Sequence, residues 1–174
     1  MKKRWLSMGL CGMMAVSLLS GCGSAGNADG KQKIGIAMPA QSLERWNRDG
    51  AYLKEAFEKE GYQVDLVYSD NDAAKQKRDL EKLIEKEPDL LVIAAIDGEG
   101  LADELRDVDV PVISYDRLIR NTDAVSYYIS YDNYKVGELQ GQYIIDTLDL
   151  GNTGKKTFNM EVTSGDLGDN NAVF

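Results

Sequence analysis

The stretch "DLLVIAAIDG" (Asp89–Gly98) decides the fold class of this chain. Its apolar residues run without interruption from Leu90 to Ile96, instead of alternating with polar residues. A strand of this kind is buried on both faces, which is typical of a parallel sheet covered by helices. The stretch therefore predicts an α/β protein and places this strand in the interior.

Strand-like and helix-like segments alternate on both sides of this stretch. Apolar or alternating runs predict further strands over residues 33–39, 62–69, 110–116, 124–130 and 157–162, with 110–116 and 124–130 buried. Apolar residues near helical spacing predict helices over residues 43–61, 72–86, 99–107 and 133–148. Strands that alternate with helices form βαβ units, so we expect a doubly wound parallel sheet with helices on both faces.

The N-terminus carries an export signal. A basic head, Met1–Arg4, precedes an apolar run from Trp5 to Leu19, and this run is shorter than the ~20 residues of a membrane span. It ends in "LSGC", which resembles a lipobox and predicts a lipoprotein signal peptide over residues 1–21 with lipidation of Cys22. Residues 22–32 are small and polar and predict a flexible tether. The alternative is an ordinary cleaved signal with a chance cysteine.

The composition excludes several classes of function. The chain has 20 basic and 29 acidic residues, a net charge of −9, and no histidine. The predicted signal contains three basic and no acidic residues, so its removal changes the charge to −12. Such a charge argues against nucleic acid or an anionic membrane face as a partner. The absence of histidine excludes histidine-based catalysis and histidine metal sites.

Polar side chains follow the predicted strands at the points where the strands end. In an open α/β sheet, ligands bind beyond the carboxyl ends of the strands. Carboxylates, amides and guanidinium groups pair with sugar hydroxyls in fixed geometry, and an indole packs against the apolar face of a sugar ring. These positions therefore favour a sugar site. The residues concerned are Arg45, Trp46, Asp97, Asp116, Arg117, Asp132, Asp169, Asn170 and Asn171.

Each of these positions also has a plain structural interpretation. Asp97 and Asp132 are better explained as caps of the segments that follow them. Arg45 and Trp46 would be a solvated charge and a core aromatic residue. The pair Asp116-Arg117 would be a surface ion pair, which contributes little to stability, and residues 169–171 would be an ordinary loop. It is the coincidence of all of them at strand ends that favours a site.

Five stretches of the sequence resemble a known family. "IGIAMPAQSLERWNRDG", "LVIAAIDG", "VPVISYDRLIRN", "YYISYDNYKVGELQ" and "GDLGDNNA" are similar to stretches of bacterial periplasmic sugar-binding proteins of ABC importers, in particular xylose-binding and multiple-sugar-binding proteins. The resemblance implies two α/β lobes with a monosaccharide between them. Residues 33–131 would be the N-terminal lobe, and residues 132–174 would be the hinge crossing and an incomplete start of the second lobe.

The resemblance also implies a role for six residues. Arg45 would hydrogen-bond sugar hydroxyls, and Trp46 would stack on the ring. Asp116 and Arg117 would bind hydroxyls from the first lobe. Asp169 and Asn171 would do so from the second lobe. It implies no cofactor, no metal and no catalytic residue, so the chain is expected to be a binding protein and not an enzyme.

The expected function is binding of an aldose, namely xylose or a related monosaccharide. Binding would take place outside the cytoplasm, and the protein would be anchored to the cell membrane through lipidated Cys22. Its partner would be the membrane permease of an ABC importer. The alternative is a sensor that signals to a membrane histidine kinase or chemoreceptor. A glycosidase lacks a distinguished carboxylate pair, and a repressor would need a DNA-binding motif where the signal lies.

The resemblance further suggests a truncated chain. Half of a cleft offers half of the hydrogen bonds, so we expect this chain alone to bind sugar weakly. We also expect the helix from Asn133 and the last predicted strand to be poorly packed, because little sheet is available to cover them.

Overall fold

A computed structural model describes residues 30–152, 154, 157–165, 167 and 169–172. The predicted signal peptide (1–21), Cys22 and the predicted tether as far as residue 29 lie outside the described residues. The described residues from Lys31 onwards belong to one compact unit.

Within the described ranges the sheet contains five strands, all parallel, in the order β2-β1-β3-β4-β5. The arrangement confirms the predicted parallel α/β architecture, with the apolar stretch that decides the fold class at its centre. Its strands are β1 (Lys33–Met38), β2 (Gln63–Tyr68), β3 (Leu90–Ile93), β4 (Val112–Tyr115) and β5 (Val125–Ile129).

Helices cover both faces of the sheet, as predicted. Alternate strand residues belong to two separate hydrophobic clusters. One cluster contains Ala37 and Ile93 and packs against α2 (Ala73–Ile84) through Leu80. The other contains Ile36 and packs against α1 (Glu44–Lys59) through Trp46, Leu53 and Phe57. The sheet is thus doubly wound, because neighbouring side chains of a strand point to opposite faces.

The register aligns the carboxyl ends of four strands. We call this end of the sheet its carboxyl edge; it is not one of the outermost strands. Ala37 pairs with Ile93, Ile93 pairs with Ser114, and Tyr115 pairs with Ile129. Residues that follow β1, β3, β4 and β5 therefore emerge side by side, and this edge carries the candidate site described below.

Two aspartates cap helices at their N-termini. Asp72 accepts a hydrogen bond from the backbone N–H of Lys75 at 2.9 Å and begins α2. Asp132 does the same for Lys135 and begins α3 (Asn133–Thr147). An aspartate in this position satisfies a backbone donor that the helix leaves unpaired, so the predicted cap at Asp132 is confirmed.

Two predicted elements are wrong. Residues 99–107 form a series of turns instead of a helix, and they bury Leu101 and Leu105 against the sheet. The Asp97 carboxylate binds the backbone N–H groups of Glu99 and Gly100, which confirms local capping but of a turn. Residues 157–162 are exposed and form no strand, since a strand needs a partner and, among the described residues, the sheet ends at β5.

The end of the sheet is more exposed than the sequence predicts. Four of the five residues of β5 are exposed, so the expectation of a buried strand there is wrong. Helix α3 has no buried residue, which agrees with the expected poor packing. Two short 3-10 helices follow, Leu150–Asn152 and Asn170–Ala172. None of the helices in the described ranges is long and apolar enough to cross a membrane.

Candidate functional site

The candidate site is centred on Asp116, the first residue after β4. Its backbone N–H donates to Ile129 O at 2.7 Å, which extends the pairing of β4 with β5 by one residue. Its φ of +63° then turns the chain away from the sheet. The side chain is 6% exposed. A buried carboxylate requires partners, and the structure supplies them from two distant parts of the chain.

The first partner is Arg45, near the start of α1. Its Nη2 lies 2.5 Å from Asp116 Oδ1, although the two residues are 71 positions apart in sequence. Burial acts to lower the pKa of Arg45, but the hydrogen bond and charge of Asp116, together with the charge of Asp49, raise it above its ordinary value. The guanidinium is therefore a permanent cation and donates only.

The second partner is Asn171, near the end of the chain. Its Nδ2 donates to the backbone O of Asp116 at 3.0 Å and to Oδ2 at 3.2 Å. Asn133 Nδ2 in turn donates to Asn171 Oδ1 at 3.0 Å. The amide is therefore oriented by α3 on one side and by the end of β4 on the other.

Arg117 extends the site along the edge towards β3. Its Nη2 lies 3.0 Å from Asp169 Oδ2, and its Nη1 donates to Ala95 O at 3.3 Å, just beyond β3. Its Nε is buried and has no hydrogen-bond partner in the described part of the chain. A buried unpaired donor is costly, so this atom is a potential contact for a ligand oxygen.

Trp46 lies beneath both arginines. The Cζ atoms of Arg45 and Arg117 are 4.4 Å and 5.2 Å from its ring centroid, within the range of cation–π attraction. The indole is only 4% exposed and belongs to the core cluster on the α1 face of the sheet. Stacking of a sugar on this ring would therefore require movement of a guanidinium group.

The six residues singled out from the sequence are thus brought together at one edge of the sheet. In this arrangement their polar groups pair mostly with one another: Arg45 with Asp116, Arg117 with Asp169, and Asn171 with Asp116. Chemically, such a cluster can exchange internal hydrogen bonds for bonds to a polyhydroxylated ligand. Asp97 and Asp132, by contrast, are occupied as backbone caps.

Sequence reasoning missed four residues that support the site. Tyr128 and Ser130 donate hydroxyl hydrogen bonds to the backbone O of Asp116, at 3.2 Å and 2.9 Å. Asp49 and Tyr115 contact each other behind Arg45. The only signal available for Asp49 was its position four residues after Arg45 on a predicted helix. No signal distinguished the other three.

No metal centre is evident at this edge. Within the described residues, no group of three or more histidine, cysteine, aspartate or glutamate side chains is arranged to hold a metal ion.

The chain is similar to proteins of one family. Residues 34–174 match the family profile described as "Periplasmic binding protein domain". The chain is 46% identical over 150 residues to the multiple sugar-binding periplasmic protein SbpA of Azospirillum brasilense. The matched region covers 84% of this chain and 42% of that protein.

Solved structures agree with this match. An ABC transporter solute binding protein from Clostridium phytofermentans with bound β-D-glucose superimposes with a TM-score of 0.77 at 45% identity, over 82% of this chain and 44% of that one. The fructose binding periplasmic domain of a hybrid two-component system gives a TM-score of 0.58 at 30% identity, over 68% and 40%. The chain spans about two fifths of the length of these relatives.

Proposed function

This chain belongs to the periplasmic binding protein domain family, and we propose that it binds an aldose outside the cytoplasm and delivers it to the membrane permease of an ABC importer. It acts by binding alone, without an enzymatic reaction and without a cofactor.

The observation that carries the proposal is the convergence of Arg45, Asp116, Arg117, Asp169 and Asn171, with both guanidinium groups over the indole of Trp46. Two guanidinium groups supply forked donors, two carboxylates supply acceptors, and an amide supplies both. A pyranose offers a ring of hydroxyls that both donate and accept, so it can pair with every one of these groups. A site that pairs each hydroxyl discriminates strongly against analogues that lack one.

Two relatives support an aldose as the ligand. The Azospirillum brasilense relative is named a multiple sugar-binding protein, and the Clostridium phytofermentans structure contains β-D-glucose. Xylose and glucose share the pyranose ring and differ in the hydroxymethyl group, so both are candidate ligands for this chain.

The N-terminus supports a location at the outer face of the cell membrane. We propose that residues 1–21 are removed as a lipoprotein signal and that Cys22 then bears the lipid, with residues 22–32 as the tether. Mass spectrometry of the membrane-extracted protein tests this proposal. An unmodified cysteine, or a mature N-terminus elsewhere, would contradict it.

A sensor is the second candidate function. It is favoured by one observation, the similarity to a fructose binding periplasmic domain of a hybrid two-component system. The same site would then pass its signal to a membrane histidine kinase or chemoreceptor. Deletion of the gene separates the two functions: loss of sugar uptake supports the importer, and loss of a transcriptional or chemotactic response with normal uptake supports the sensor.

The direct test is calorimetric titration of the purified chain with xylose, glucose, galactose, arabinose and ribose. We expect saturable heat with at least one aldose at high sugar concentration. Asp116→Asn should weaken that binding by about tenfold, because it removes the charge that orients Arg45. Asp132→Asn makes the same chemical change at a helix cap outside the site and should leave the affinity unchanged. Absence of heat with every sugar in a folded protein would contradict the proposal.

A further inference from the structure

Asp49 and Tyr115 form a pair directly behind Arg45. Asp49 lies one helical turn after Arg45 on α1, and Tyr115 is the last residue of β4. The Tyr115 hydroxyl donates to Asp49 Oδ2 at 3.2 Å, and the same oxygen lies 3.6 Å from Arg45 Nε. The Asp49 side chain is 17% exposed, so water screens this cluster less than an ordinary surface pair.

One nitrogen of the Arg45 guanidinium has no partner in the described part of the chain. Asp49 faces its Nε, Asp116 holds its Nη2, and Trp46 lies under the guanidinium plane. Among the residues that the structure describes, no group pairs with Nη1. The side chain is nevertheless 43% exposed. Nη1 is therefore a donor of Arg45 that is available to a ligand oxygen.

The Tyr115 hydroxyl is suited to a fixed donor role. Burial raises its pKa, and the neighbouring Asp49 carboxylate raises it further, so the hydroxyl keeps its proton at neutral pH. The carboxylate has a second contact, 3.9 Å from Arg48 Nε, but that arginine side chain is 74% exposed. Tyr115 is thus the contact that ties Asp49 to the sheet, whereas Arg48 is free to move with solvent.

We propose that Asp49 and Tyr115 are positioning residues for ligand binding: they hold the Arg45 guanidinium over Trp46 with Nη1 towards the sugar. The inference rests on the proposed function, and it deepens it by adding two residues that do not themselves touch the ligand. A long arginine side chain loses rotamer freedom when it binds. Prior fixation by the carboxylate and the hydroxyl removes part of that cost, which is the general benefit of preorganisation.

A double-mutant cycle on the full chain in detergent micelles tests whether the pair acts through Arg45. Tyr115→Phe removes only the hydroxyl, and Asp49→Asn removes only the charge. Each should weaken binding of the preferred aldose by about three- to tenfold. In an Arg45→Ala background, neither should weaken it further. An equal loss with and without Arg45 would show a merely structural role and overturn the proposal.

The matched control is Tyr68→Phe. Tyr68 also donates its hydroxyl to α1, to Asn47 O at 3.2 Å, but in the described part of the chain no hydrogen bond or ion pair joins it to Arg45 or Asp49. This variant loses a hydrogen bond of equal length to the same helix and should bind sugar like the parent. Weakening equal to that of Tyr115→Phe would attribute both effects to the packing of α1 and overturn the proposal.

A measurement without sugar separates this inference from the proposed function. The Nε–Hε resonance of Arg45, assigned by its loss in Arg45→Lys, reports on the contact with Asp49 by nuclear magnetic resonance. Tyr115→Phe should shift this resonance and speed its exchange with water, whereas Tyr68→Phe should not. If the parent binds no sugar, the proposed function is contradicted, and so is a role of Asp49 and Tyr115 in sugar binding. An unchanged resonance in Tyr115→Phe would overturn the positioning itself.

Discussion

Asp116 shows how several demands meet at one residue. It is buried, it has a left-handed backbone with φ of +63°, and its carbonyl accepts from Tyr128, Ser130 and Asn171. Aspartate and asparagine tolerate this conformation better than other residues with a side chain. Asparagine is therefore the informative substitution, because alanine would add backbone strain to the loss of the charge.

Asp79, away from the site, makes stability depend on pH. It is buried on α2 and accepts from Ser69 Oγ at 3.1 Å and Lys75 Nζ at 2.8 Å. Burial acts to raise its pKa, but the hydrogen bonds from Lys75 and Ser69 lower it below its ordinary value. Its stabilisation is therefore present above the unfolded-state pKa of about 3.9 and is lost as the pH falls through the lower folded value.

We expect Asp79→Asn to reduce the dependence of stability on pH. The variant should be less stable than the parent at pH 7, because the charged hydrogen bond to Lys75 is gone. The difference should shrink as the pH falls below about 4. Urea unfolding midpoints between pH 7 and pH 3 measure this effect. A difference that stays constant across this range would contradict the prediction.

The helices differ in how closely they pack, and their local signals do not account for the difference, because the closely packed α1 has no side-chain cap whereas α3 has one. Helix α1 approaches the sheet through Gly50, which is buried beneath Met38 and Tyr68. Helix α3 has a good cap at Asp132 and an apolar stripe but buries none of its residues. Capping and periodicity are properties of the helix alone, whereas packing depends on what stands opposite it.

Alanine substitution at two helical glycines separates the effect of helix propensity on stability from the effect of packing. In Gly50→Ala, the new Cβ would lie 2.6 Å from Tyr68 Oη and 3.2 Å from Met38 Cγ. Overpacking of this kind costs about 1–3 kcal/mol, more than the ~1 kcal/mol that alanine adds to helix propensity. We therefore expect a lower urea midpoint.

Gly137→Ala in α3 is the matched control, because its Cβ would meet no atom within 4 Å. Only the gain in propensity remains there, so the midpoint should not fall. Equal midpoints for the two alanine variants would show that α1 does not pack as closely as the structure indicates.

At the scale of the whole molecule, apolar burial is concentrated in the two clusters on either side of the sheet. The end of the described chain contributes little to them. Its large apolar side chains are exposed from β5 through α3. They include Tyr127, Ile129, Tyr131, Tyr134, Leu139 and Tyr143, with exposed fractions between 53% and 81%.

Backbone amides should therefore fall into two classes that differ in their rate of hydrogen exchange. Amides of β1 and β3 lie between the clusters and should exchange only through global unfolding, whereas amides of α3 should exchange through local opening. Leu80→Ala should accelerate the first class strongly, because loss of a buried leucine costs about 2–5 kcal/mol. It should leave α3 unchanged. Equal protection of α3 and β1 would contradict this division.

The sequence by itself determined the architecture and the edge at which the site lies. The uninterrupted run of β3 and the alternation of strands with helices predicted a doubly wound parallel sheet. They also placed Arg45 and Asp116 beyond strand ends, whereas the strand predicted before Asp169 does not form. These features are local, because periodicity and turn residues depend on neighbours along the chain.

Only the tertiary structure decided which side chains meet. The contact of Arg45 with Asp116, the support from Asp49 and Tyr115, and the burial of Trp46 all depend on the order of the strands and on how α1 lies on the sheet. The exposure of β5 and α3 likewise depends on what covers them. Such contacts join residues far apart in sequence. A local sequence pattern depends only on neighbouring residues, so it does not predict which distant side chains come into contact.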